Sequence, residues 1–203
     1  MILFVAIFIP AVLLQADPFA LFEAGRFDAA KAAFERRLET RPNDPEALYY
    51  LGRLSSSGAL SRRFFERLLV VHSKHALADD ALFELAEADY GGGQGLYITA
   101  RRRYRRLLSS HPESPLAPRA HYRVGLTFLI TRKPDSAAVA FRAVLDRFPT
   151  SDVRALAHLG IVDANDQGNH REAALREAEA LLASDPEGIR EIVEERVRSL
   201  KGR

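Results

Sequence analysis

Residues 118–151 read PRAHYRVGLTFLITRKPDSAAVAFRAVLDRFPTS. From Arg119 to Ile130 the apolar residues Tyr122, Val124, Leu126, Phe128 and Leu129 are dense enough to be covered on more than one face, and Gly125 leaves room for a second backbone to come close. This spacing predicts an inner helix. A second helix is predicted from Asp135, which follows Pro134 and caps it, with Ala137, Ala138, Phe141, Val144 and Leu145 three and four residues apart and Pro149 ending it. Neither helix can bury its apolar face alone, so a unit of this kind requires neighbours of its own type.

Such neighbours are present. A Leu or Val followed by a small residue recurs as Leu51-Gly52, Leu85-Ala86, Val124-Gly125 and Leu159-Gly160, in steps of 34, 39 and 35 residues. The closing proline recurs as Pro42, Pro112, Pro149 and Pro186, and His75-Ala76 stands midway across the 70 residues between the first two. Second-helix anchors follow as Ala30 and Phe34, Ala100 and Tyr104, Ala137 and Phe141, Ala174 and Ala178. The units run 17–44, 45–78, 79–114, 118–151 and 152–186, the loop Ser55-Ser56-Ser57-Gly58 shifting the phase of the second. Asp17-Pro18, Asp44-Pro45, Asp79-Asp80 and Asp185-Pro186 are expected helix starts, and Ser61 to His75 is expected to be one second helix. Residues 187–203 form a capping helix with the apolar stripe Ile189, Ile192, Val193, Val197 and Leu200.

The small residue of the first helix, the Ala and aromatic of the second and the terminal Pro resemble the tetratricopeptide repeat family over nearly all of Asp17 to Pro186. The resemblance implies an all-α, right-handed α-α superhelix of antiparallel helix pairs serving as a protein interaction scaffold without catalysis. An irregular helical bundle would have to produce four aligned units by chance. The segments DDALFELAEA at 79–88 and RFPTSD at 147–152 look similar to two bacterial envelope groups: outer-membrane assembly lipoproteins of tetratricopeptide type, and the repeat domain of the Tol-Pal-associated cell-division coordinator. The chain departs from the first in having no lipidation Cys and from the second in having no N-terminal coiled coil, so the implied theme is envelope biogenesis.

Of the 203 residues, 47% are hydrophobic and 28% charged, as in ordered proteins, and with no Cys there are no disulfides, thiolate nucleophiles or Cys-based zinc sites. Residues 1–16 carry no charge, and residues 2–14 are an apolar run broken by Pro10, short of the roughly 20 residues a membrane span needs. This predicts a secretory signal cleaved after Ala16 and a periplasmic protein, although no Lys or Arg precedes the run. The alternatives are a first packed helix or a short anchor, in a cytoplasmic or membrane-attached adaptor.

No cofactor or metal is expected. The glycines at 91–95 are followed by Leu96 where a phosphate loop needs Gly-Lys, and His72, His75 and Asp79 lack a second ligand pair. Net charge is +2, but residues 100–133 hold nine basic side chains and one acid. Arg101, Arg102, Arg103, Arg105 and Arg106 are expected to point outward as a patch for an acidic protein face, anionic lipid or cell-wall polymer, with nucleic acid disfavoured for an exported protein. The residues three before the small packing residues, Tyr49, Phe83, Tyr122 and Ala157, are expected to face a concave groove. The expected ligand is an apolar protein or peptide segment on Tyr49, Phe83, Tyr90, Tyr122 and Leu126, with Arg119 and Glu87 setting its direction.

Overall fold

The computed structural model describes residues 17–92, 95–184, 186 and 188–202, so the apolar run 1–16 and the expected cap Asp185 lie outside the described residues. Among the described residues the fold is all-helical, with eleven helices: α1 Pro18–Glu23, α2 Phe27–Thr40, α3 Pro45–Leu54, α4 Gly58–Val71, α5 Ala78–Gly91, α6 Tyr97–Ser110, α7 Ala117–Ile130, α8 Pro134–Arg147, α9 Arg154–Gln167, α10 Arg171–Ala183 and α11 Arg190–Lys201. They fall into two compact units, Met1–His72 and Ser73–Arg203. Within each, a helix packs on its sequence neighbour, and α7 also touches α9, so inner helices of successive pairs lie side by side. This is the helix-pair class the spacing predicts. No helix among the described residues is long and apolar enough to cross a membrane.

The small residues work as sockets for rings. A Cβ added at Gly52 would stand 2.6 Å from the Phe65 ring, and one at Gly160 2.7 Å from the Phe141 ring. Gly125 presses on Phe141 closer still, so this one ring from α8 is held between glycines of α7 and α9. Phe141 is fully buried with Ala137, Val144, Val153, Ala157, Ile161 and Ala164 around it. The anchors Ala30, Phe34, Ala100, Tyr104, Ala137, Ala174 and Ala178 are likewise 0% exposed. In the first unit the equivalent core is aromatic, with Phe34 stacked on Tyr50 at 4.9 Å and Phe19 edge-on to both.

The turns also repeat. Gly25, Arg132 and Asn169 all have positive φ, and beyond each an N–H closes the same backbone bond: Arg26 to Leu21, Lys133 to Phe128 and His170 to Asn165. That is the left-handed stop of a helix, with the next helix starting two residues on. At the other end of the pairs, Ser114 and Ser151 accept the N–H two residues ahead, from Leu116 and Val153, and His75 Nδ1 does the same for Leu77 at 3.2 Å. His75 is a turn former.

Several helix starts differ from expectation. Asp44 does cap α3, accepting from Ala47 N at 3.0 Å, and Asp17 accepts from the N–H groups of Phe19 and Ala20. Burial alone would raise the pKa of Asp44, but the Ala47 N–H and the Arg37 guanidinium outweigh it and hold the carboxyl below its ordinary range. Asp135, by contrast, sits in the first turn of α8, which begins at Pro134 with its φ already set for a helix. Asp79 and Asp80 sit inside α5, after Leu77, where they face the helix dipole without capping. The helix α4 begins at Gly58 and ends at Val71, and His72 Nε2 lies against the Asn43 carbonyl. In α11, Val193 and Leu200 are buried while Ile192 is 51% exposed, so the stripe is narrower than its sequence.

The double socket around Phe141 predicts a cost for a single methyl. Gly125→Ala should destabilise the protein by about 1–3 kcal/mol, because the ring cannot retreat from α7 without striking Gly160. Adding Phe141→Leu should recover part of that loss, a coupling read from urea midpoints of the single and double variants. An unchanged midpoint for Gly125→Ala would refute the socket.

Candidate functional site: the inner-helix face of the second unit

The sequence-predicted groove residues are distributed over both units. Tyr49 belongs to the first, where it is buried at 6% exposure against Phe65 and Tyr50. Ala157 is fully buried in the Phe141 core. Neither presents a side chain to an open groove, because the position three before a socket glycine turns partly toward the adjoining outer helix. Phe83 is half-buried with its ring 5.6 Å from that of Tyr104, and Tyr122 is half-buried at 5.7 Å from Phe141. Leu126 is partly buried against the same core.

Glu87 on α5 is committed to the fold. The socket ring of the α5–α6 pair is Tyr104, and a buried phenol needs an acceptor. Its hydroxyl donates to Glu87 Oε1, while Arg123 Nη2 of α7 donates to Oε2 at 2.6 Å. Burial and the bond to Glu87 push the Tyr104 pKa far above its ordinary value, so it stays a donor. Burial alone would lower the pKa of Arg123, and the charge of Glu87 outweighs it. The Arg123 guanidinium also lies over the Tyr90 ring at 4.9 Å, and Tyr90 meets Tyr97 at 5.5 Å. Arg119 Nε donates to Asp152 Oδ2 at 3.1 Å in a half-exposed pair. Glu87 is thus paired within the fold and Arg119 at its surface.

Sequence reasoning missed a second cross-helix pair on this face. Asp163 of α9 meets Arg196 of α11 at 2.7 Å. Burial raises the Asp163 pKa, opposed by the Arg196 charge. Gln167, one turn on, donates to the Leu129 carbonyl at 3.2 Å while its buried Oε1 has no partner among the described residues. Counting charges along the chain could not reveal this pair, since its members are 33 residues apart and neither belongs to a motif. The inner helices α5, α7, α9 and α11 are thus linked in two places by acid–arginine pairs, with Tyr90, Tyr122 and Leu126 among them.

The arginine run of α6 divides in two. Arg101, expected outward, is 8% exposed, its guanidinium 4.1 Å from the Phe128 ring and donating to Thr131 Oγ1 at 3.1 Å. Arg103 Nε donates to the buried Asp89 at 2.8 Å. Arg102, Arg105 and Arg106 are exposed, as expected. A cleft of about 540 Å³ in the first unit, lined by Asp17, Arg36, Arg37, Thr40 and Arg41 among others, contains none of the predicted site residues. Among the described residues no cluster of three or more His, Cys, Asp or Glu could hold a metal.

Residues 19–54 and 85–152 match family models described as tetratricopeptide repeat. Together these segments make up just over half of the sequence, and the chain belongs to the tetratricopeptide repeat family, whose members are generally non-catalytic protein-interaction scaffolds. No curated protein matches it. Among solved structures, a crystal structure of MamA superposes with a TM-score of 0.69 at 19% identity, covering 83% of this chain and 94% of that one. YrrB, described as a tetratricopeptide repeat protein with an unusual peptide-binding site, gives a TM-score of 0.69 at 17% identity over 88% of each chain. A tetratricopeptide repeat protein from Parabacteroides merdae gives 0.70 at 20% identity over 90% of this chain and 69% of that one. At these identities the likeness establishes the fold.

The Tyr104–Glu87–Arg123 cluster predicts non-additive stability. Glu87→Leu strands a buried phenol and a guanidinium and should cost about 1–3 kcal/mol. Combining it with Tyr104→Phe should cost less than the sum of the two single changes, as thermal unfolding of the four proteins of the cycle would show. Strict additivity would mean that Glu87 is not the acceptor.

Proposed function

We propose that the protein is a non-catalytic scaffold of the bacterial cell envelope that holds a segment of a partner protein on the inner-helix face of Ser73–Arg203. The observation that carries this reading is the row of half-buried rings and paired charges on α5, α7, α9 and α11: Tyr90 with Arg123, then Tyr122 and Leu126, then Asp163 with Arg196. A face built only to close a core would be apolar. Pre-arranged aromatic and aliphatic groups beside fixed charges are what a partner's apolar side chains and backbone polar groups require, and such aromatic anchors dominate interface energies. The peptide-binding site attributed to YrrB, on the same fold, supports the reading. The anchors are Tyr90, Tyr122 and Leu126; Phe83 and Glu87 support the fold of the same unit, and Tyr49 belongs to the core of the first.

Two experiments test this. A photo-crosslinking residue placed at Leu126 in the native host should trap a partner protein that the same residue at Val139, 73% exposed on α8, does not. Equal trapping at both positions, or none at Leu126, would refute the groove. The envelope assignment rests on residues 1–16 and is tested separately: the native protein should have the mass of a chain starting at Asp17 and should be recovered outside the cytoplasm. A full-length chain in the soluble cytoplasm would overturn export and leave the scaffold reading in place.

A further inference from the structure

On the outward faces of several helices an exposed or half-exposed arginine is paired with an acid. Arg142 of α8 pairs with Glu177, Arg176 of α10 with Glu172, and Arg62 of α4 with Glu66. On α6 the two inward arginines are satisfied by the fold, as described above, but Arg102, Arg105 and Arg106 are exposed and have no ion pair among the described residues. Helical spacing then aligns a second feature with them. Ile98, Arg102, Arg105 and Ser109 follow at steps of four, three and four, on one side of the helix opposite the buried Ala100, Tyr104 and Leu107. Ile98 is 68% exposed, and Leu96, just before the helix, is 41% exposed. One stripe therefore begins with the exposed Ile98 and continues with the unneutralised guanidiniums of Arg102 and Arg105, with Arg106 standing to one side of it and Leu96 in register with the buried Ala100 and Tyr104.

We propose that this face of α6 docks on an anionic lipid bilayer, with Ile98 entering the headgroup layer and Arg102, Arg105 and Arg106 engaging lipid phosphates. The chemistry selects this partner over other polyanions. Guanidinium binds phosphate through paired N–H donors, which suits lipid and nucleic acid alike. A soluble acidic polymer, however, offers nothing to the exposed Ile98, whereas a bilayer interface takes both the aliphatic side chain and the cations beside it. Arg102 to Arg106 cover about 6 Å along the helix axis, so the three guanidiniums reach one or two neighbouring headgroups without any change in the fold. The inner-helix face plays no part, and this surface stands or falls independently of the scaffold reading.

The test is sedimentation of the full chain with vesicles of phosphatidylcholine alone and of phosphatidylcholine mixed with phosphatidylglycerol. The protein should partition to the anionic vesicles, and less so as salt rises. R102Q/R105Q/R106Q should reduce partitioning roughly a hundredfold, from the usual contribution of each basic residue near an anionic surface. Ile98→Ser should reduce it severalfold with all charges kept. Both variants should keep the parent's melting temperature, since the altered groups are exposed. Failure of the parent to bind anionic vesicles would overturn the proposal. So would a triple variant that partitions like the parent, which would trace binding to another part of the chain. Loss of binding in the triple variant with no effect of Ile98→Ser would also overturn it, in favour of a generic polyanion site.

Discussion

The second unit depends on one steric fact: an aromatic ring from an outer helix occupies space that only a glycine or alanine on the inner helices can leave. Phe141 meets Gly125 on one side and Gly160 on the other. Because the ring belongs to one pair and Gly160 to the next, the contact that closes a pair also sets the seat of its successor. The electrostatic features of the site follow from this. Where the ring is Tyr104 its hydroxyl must be satisfied, Glu87 supplies the acceptor, and Arg123 neutralises Glu87. A packing requirement on α6 thereby fixes a charge pair between α5 and α7, and that pair places a guanidinium over Tyr90.

The fold was legible in the sequence because its signals are local and repeated. Small residues, anchor aromatics and closing prolines recur at nearly constant steps, and each marks a position whose environment is set within one pair of helices. The helix starts were less legible. Asp in a short polar stretch reads as a cap, yet at Asp79 and Asp135 the capping geometry lies two residues earlier, at Leu77 and Lys133. The His75 turn sets the first of these starts and the left-handed Arg132 the second, and an imidazole accepting an N–H two residues on leaves no strong mark in composition.

The candidate site was legible only in part. The offset of three before the small residue picked out Tyr122, which is half-buried beside Phe141, but the same offset chose Tyr49 and Ala157, which are buried. A groove position requires that the facing outer helix not cover it, and that depends on side chains a full repeat away. The charge run of α6 fared similarly. Five arginines in six residues look equivalent in a string, whereas helical geometry turns Arg101 toward Phe128 and Arg103 toward Asp89. The pair between Asp163 and Arg196 had no sequence signal at all, since each residue alone is an ordinary surface charge.

The turn between α5 and α6 is longer than the other turns within helix pairs. In the α1–α2, α7–α8 and α9–α10 turns the residue with positive φ directly follows the C-cap residue, while here Gly91 closes α5, the positive φ comes only at Gly95, and Tyr97 opens α6. Despite the extra residues, Ala100 and Tyr104 are as fully buried as Ala137 and Phe141 in the shorter-turned pair. Connector length and helix contact are thus separable variables in this architecture. An evolving or engineered chain could carry new sequence between Gly91 and Leu96, a recognition loop or a processing site, while every socket keeps its ring.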